Sequence, residues 1–147
     1  MRTTLDDSKD ELLAKAAELT SHRRGASGPP GTTTAQFLKS FYRHVAAEDI
    51  LARTEVDLYG AAMSQYRLAS HRPQGTANIR VFTPSVSEHG WAANGHTVVE
   101  VVTDDMPFLV DSLTMELANQ DRDVRVVIHP QMDVERDITG ELKRVSA

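Results

Sequence analysis

The stretch "HTVVEVVTDDMPFLVDSLTMELANQ", residues 96–120, changes its period halfway along. From Thr97 to Thr103 side chains alternate, with Val98, Glu100 and Val102 on one face and Val99 and Val101 on the other. Such a run predicts a strand largely covered on both sides. Met106, Leu109, Val110, Leu113 and Leu117 then follow helical spacing along one stripe. Asp104 and Asp105 sit between, at the carboxyl end of the strand and the amino end of the helix, where free backbone N–H groups favour negative charge and Pro107 suits the first turn.

Three readings of this turn stay open. The aspartates can cap a structural junction, or the turn can be a ligand loop, since small ligands settle at the carboxyl ends of strands in α/β folds. A third reading, acid–base chemistry by Asp104, Asp105 and Asp111 in a small hydrolase, needs a partner of shifted pKa that the sequence does not supply. That reading requires turnover abolished by Asp105→Asn.

Towards the carboxyl end, "VRVVIHP" places Val124, Val126 and Ile128 on one face of an expected strand, and "VERDITGELKRVS" reads as a hairpin turning near Thr139 and Gly140. Strand, helix and strand predict a right-handed β-α-β crossover, its helix covering one face of the sheet. Towards the amino end, "NIRVFTP" predicts a strand over Ile79–Phe82, followed by the turn-rich "SVSEHGWAANG". Trp91 in that loop is either a lid folded onto the core or an exposed anchor for a neighbouring domain.

Further upstream, Val56, Tyr59, Met63 and Tyr66 recur at helical spacing behind Thr54 and predict a helix ending before Pro73. Phe37, Leu38, Phe41, Tyr42 and Val45 predict another over Ala35–Val45, with Thr32 to Thr34 as caps. A first amphipathic helix is expected over Asp6–Leu19. The chain thus divides into a helical arm at 1–20, a flexible linker at 21–34, "SHRRGASGPPGTTT" from Ser21, and a helical segment plus α+β domain at 35–147.

The 147 residues carry a net charge of -5, 40% hydrophobic and 25% charged residues, which argues against a general nucleic-acid or membrane-surface binder. The absence of cysteine excludes disulfides, thiolate metal sites and cysteine nucleophiles. There is no signal-peptide pattern and no run of about 18 apolar residues, so a cytoplasmic location is expected. His22, His44, His71, His89, His96 and His129 never pair at HxH or HxxxH spacing, and no metal site is expected; His129 reads as bonded to its turn. His22, Arg23 and Arg24 form a basic cluster that reads as a solvated linker. Neither GxGxxG nor GxxxxGK[ST] is present, so no nucleotide cradle is expected.

"RVFTP", "HTVVEVVTDDMPFLVDSLTMELA", "VRVVIHP" and the preceding "FYRHVAAEDILARTEVDLYGAAMSQYRLASHRPQG" together resemble the amino-terminal region of the large bacterial NAD-specific glutamate dehydrogenases. The most specific element is "VVTDDMPFLVDS" combined with "VVIHP" at this separation. The resemblance covers most of the chain after about Phe37 and implies an α+β fold: amino-terminal helices followed by an ACT-like, ferredoxin-like β-α-β sheet with a helix on one face. It also implies a regulatory or assembly role, with no catalysis by this chain, and NAD and the oxidative deamination of glutamate to 2-oxoglutarate belonging elsewhere in a full-length enzyme. The implied partners are the rest of that enzyme and further subunits in a homo-oligomer, and an amino-acid effector.

Amino-acid-sensing ACT domains carry a motif similar to "DRPGLL" after the first strand; here "DDMPFLV" keeps the acid and Pro107 but has Phe108 in place of the glycine. Phe108 would crowd that pocket and favours packing or an interdomain contact. Asp104, Asp105, Met106 and Pro107 are the candidate effector or interface loop, Asp105 pairing with an amino group. The alternative is a stand-alone ACT-like amino-acid sensor.

Overall fold

The computed structural model describes residues 3–22 and 28–147. Four helices come first: α1 (Thr4–His22), α2 (Thr34–Phe41), α3 (Ala47–Leu51) and α4 (Glu55–Ala69). Then come β1 (Asn78–Phe82), α5 (Val86–His89), β2 (Val98–Val102), α6 (Leu109–Asn119), β3 (Asp133–Arg136) and β4 (Leu142–Ser146). Helices and small antiparallel sheets make the expected α+β class. Part of the linker expected at 21–34, with its basic cluster, lies outside the described residues. No helix among the described residues is long and apolar enough to cross a membrane.

The helical layer forms where the caps are. Thr33 accepts from the Gln36 N–H at 3.1 Å and Thr54 from the Asp57 N–H at 3.2 Å, starting α2 and α4. The helix expected to reach Val45 stops at Phe41, and the short α3, not anticipated from the spacing, follows it. Lys9 Nζ donates to the Tyr42 and Val45 carbonyls at 2.8 and 2.7 Å, satisfying acceptors that the break releases. Leu13, Ala16, Phe37, Leu38, Phe41, Tyr42, Ile50, Leu58, Ala62 and Met63 close the core. Inside it the Tyr42 hydroxyl donates to the Leu58 carbonyl at 2.6 Å, and burial pushes the Tyr42 phenol above its ordinary pKa.

The strands form two separate ribbons. β1 pairs antiparallel with β2, Arg80 opposite Glu100 and Val81 opposite Val99. β3 pairs antiparallel with β4, Val134 opposite Val145, with a bulge between Glu135 and Arg136. The hairpin turns where expected, around Asp137–Gly140. Gly140, at φ 95°, lies against the Arg72 backbone so closely that a Cβ would collide with it. Arg72 N–H donates to the Gly140 carbonyl at 2.9 Å and Leu142 N–H to the Ser70 carbonyl at 2.8 Å, so the end of α4 is stitched to the hairpin. Leu142 and Val145 turn inward and extend the helical core.

Two expected pairings differ. "VRVVIHP" joins no ladder, so no parallel partner for β2 is formed and no crossover is closed. The reason lies in packing: Val126 and Ile128, with Met132, rest against the helical core instead of a sheet. The coverage expected on both faces of β2 is also not found, since Ile79 and Val81 on the ribbon's outer face are 64% and 62% exposed and Val99 is exposed. α6 buries none of its residues. A two-stranded ribbon offers little surface for a helix to cover.

Candidate functional site

The strand-to-helix turn holds its aspartates away from the helix they were expected to cap. α6 begins at Leu109, and its N-cap, Phe108, makes no side-chain cap. The acid in its first turn is the exposed Asp111. Asp104 turns back and pairs with the Arg72 guanidinium, Oδ1 to Nη2 at 2.7 Å. Asp105 Oδ1 accepts from Gln131 Nε2 at 2.9 Å. Met106 and Pro107 are exposed on the crest of the turn. The four candidate residues thus stay together as one exposed loop, held from below by an arginine and a glutamine that spacing did not reveal.

Phe108 has φ 63°, the left-handed region, and the residue is 75% exposed. A side chain with a Cβ pays roughly 1–2 kcal/mol for that backbone. This is the position at which the similar motif carries glycine, the residue that adopts this backbone without strain. The side chain is turned to solvent.

Beneath the turn lies a second arginine. Arg136 Nη1 donates to the Ala69 and Gly140 carbonyls at 2.6 and 3.0 Å, which fixes β3 to the end of α4. Burial and the neighbouring Arg72 charge lower its pKa, with Asp104 opposing them. The Nε atoms of Arg72 and Arg136 are both buried with no hydrogen-bond partner. The bonds of these arginines to carbonyls, and of Arg72 to Asp104, have no signature in residue spacing.

A separate polar cluster joins α4 to the first ribbon. Glu100 is buried on the inner face, its Oε1 3.9 Å from Arg80 Nη1, and Arg80 donates to Ser64 Oγ at 3.3 Å while stacking 3.7 Å over the Phe82 ring. Burial raises the Glu100 pKa, against the opposing pull of the Ser64 hydrogen bond and of Arg80 and Arg67. A single acid in a valine run was the available signal for this residue.

Trp91 is buried, edge-on to Phe82 at 5.9 Å and packed on Gly60, as a lid folded onto the core. The Ala92 N–H donates to Asp57 Oδ1 at 2.9 Å and anchors the loop at the start of α4. A cleft of about 360 Å³ between α1 and α2, lined by Asp6, Lys9, Leu13, Gln36 and Arg43 among others, includes none of the turn residues. Among the described residues no group of three or more His, Cys, Asp or Glu could hold a metal ion.

The sequence matches the family model for the glutamate dehydrogenase ACT1 domain over residues 37–147. It is 33% identical over 109 residues to an NAD-specific glutamate dehydrogenase of Pseudomonas aeruginosa, covering 74% of this chain and 7% of that protein. It is 36% identical over 111 residues to an NAD-specific glutamate dehydrogenase of Halomonas elongata, covering 76% of this chain and 7% of that protein. No solved structure matches. The chain therefore spans a small fraction of these relatives, and it belongs to the ACT1-domain family of glutamate dehydrogenases.

Proposed function

We propose that the chain is the amino-terminal regulatory and assembly domain of a large cytoplasmic NAD-dependent glutamate dehydrogenase, noncatalytic by itself. In this reading the oxidative deamination of glutamate to 2-oxoglutarate is performed elsewhere in the full-length, homo-oligomeric enzyme. The observation that carries the proposal is an apolar surface beside an already closed core: Ile79, Val81 and Val99 on the ribbon, with Phe108 and Met115 near and on α6. Neighbouring exposed apolar side chains such as Ile79, Val81 and Val99, with Val81 directly opposite Val99, mark interaction sites. The division into an arm at 1–20, a joint at 21–34 and an ACT-like module at 35–147 is part of the same proposal, with the arm docked through Leu13 and Ala16.

The β2–α6 turn does not suit NAD. β2 enters α6 through two carboxylates, which would repel a pyrophosphate, and the helix opens at a phenyl side chain instead of a glycine that would let the backbone approach it. The cofactor belongs, on this reading, to another part of the enzyme.

The test is Val81→Lys in the full-length enzyme, followed by light scattering and activity. Weakened subunit assembly is the expected result; unchanged assembly together with an unchanged response to amino acids would overturn the reading. The alternative, a stand-alone amino-acid sensor, draws on the exposure of Asp104, Asp105, Met106 and Pro107. Saturable amino-acid binding by this chain, lost in Asp105→Ala, would favour it.

A further inference from the structure

The Arg72 guanidinium is held rigidly and used incompletely. Its side chain is only 10% exposed, Nη1 donates to the Thr76 carbonyl at 2.8 Å, and its own backbone is tied to Gly140. Of the two donors on the remaining edge, Nη2 meets one oxygen of Asp104, while Nε is buried with no partner. A carboxylate matches an arginine best side-on, with both oxygens on two parallel N–H groups. Asp104 supplies only one, and its side chain is 68% exposed. Arg136 adds a second cation near enough to feel the Asp104 charge, also with an unpartnered Nε.

The element that carries Asp104 is weakly held. No residue of α6 is buried, and Asp104, Asp105, Met106, Pro107 and Phe108 are all exposed. The side-chain tethers of the turn are the Arg72 ion pair and the Gln131 hydrogen bond. Its apolar Leu109, Val110 and Leu117 are half-buried and none is in the core, so opening costs less than pulling out a core helix.

We propose that Asp104 is a place-holder on Arg72: a small organic carboxylate displaces it, binds side-on across Nε and Nη2, and releases the turn and α6. The site is a carboxylate subsite made by Arg72, with Arg136 supplying the surrounding positive field. The ligand must compete with a tethered carboxylate whose effective concentration is of the order of millimolar. A singly charged carboxylate should therefore act in the millimolar range. The proposal rests on the arginine geometry and stands whether or not the domain regulates an enzyme.

The test is hydrogen exchange of residues 104–119 in the whole chain, with sodium acetate against sodium chloride at matched pH and ionic strength. Acetate is expected to speed exchange there about tenfold while the α2 and α4 amides stay protected. Asp104→Asn, at an exposed position, should exchange rapidly without ligand and bind acetate about tenfold more tightly than wild type once the tethered competitor is gone. Arg72→Lys, which keeps the charge and loses the fork, should abolish the acetate response. Equal exchange in acetate and chloride, or acetate binding no tighter in Asp104→Asn than in wild type, would overturn the proposal. Should Arg72→Lys fail to fold, the Asp104→Asn measurement decides the question alone.

Discussion

The helical layer and the first ribbon with α6 are both rich in apolar residues and use them oppositely. In the helical layer, Leu38, Ile50 and Leu58 are among the most completely buried side chains. In the ribbon and α6, Ile79, Val81, Val99, Leu113 and Met115 face outward. The difference lies in what each stripe meets. α1, α2, α3 and α4 pack on one another and on Leu142 and Val145 of the hairpin. The outer face of the ribbon has only two strands' width and, among the described residues, no helix laid across it. An apolar pattern states that a face wants a partner; it does not state which one.

The sharpest way to break this contrast is Leu58→Ala, which opens a cavity in the closed layer. A loss of about 2–5 kcal/mol in urea unfolding is expected, and a loss below about 1 kcal/mol would mean that the helical core is not as closed as described. Gly60→Ala places a Cβ against the Trp91 side chain and should cost about 1–3 kcal/mol through overpacking. Fluorescence of the sole tryptophan should shift to the red as the lid lifts.

Glu100→Gln probes the seam between the two regions. Because burial raises the folded-state pKa of Glu100 above the usual carboxylate range, its stabilising contribution is complete below the unfolded value and is lost as pH rises through the folded one. At neutral pH the variant, which keeps the shape and drops the desolvated charge, should be more stable than wild type. This advantage should shrink as the pH falls towards 4.5, which urea titrations at several pH values will read. Phe108→Gly should stabilise the turn by up to about 1 kcal/mol by relieving the left-handed backbone, seen as slower exchange at the start of α6. Ile79→Ser, on the open face, should change the stability of the monomer by less than about 0.5 kcal/mol while reducing any self-association.

Much of the helical layer was legible because caps and stripes are local. Thr33 and Thr54 start their helices as their chemistry dictates, and Phe37, Leu38 and Phe41 lie on the buried side of the predicted stripe. The α2–α3 break was not legible, since the apolar spacing runs on to Val45 while Lys9, far away in sequence, satisfies the carbonyls at the break. Of the candidate site, Asp104 and Asp105 were legible as acids at a turn. Their partners Arg72 and Gln131 were not, because ion pairs across the fold leave no periodicity.

By itself the sequence determined the α+β class, the positions of the capped helices, the two strands around Trp91, the final hairpin and the family to which the chain belongs. Each of these depends on local backbone preference, short-range periodicity or a distinctive string of residues. Only the tertiary structure decided that Val126 and Ile128 join the helical core instead of a ladder with β2. It also turned Asp104 from a helix cap into the partner of a buried arginine. Both outcomes depend on competition between distant surfaces for the same apolar face or the same charge, and that competition is resolved only when the chain is folded.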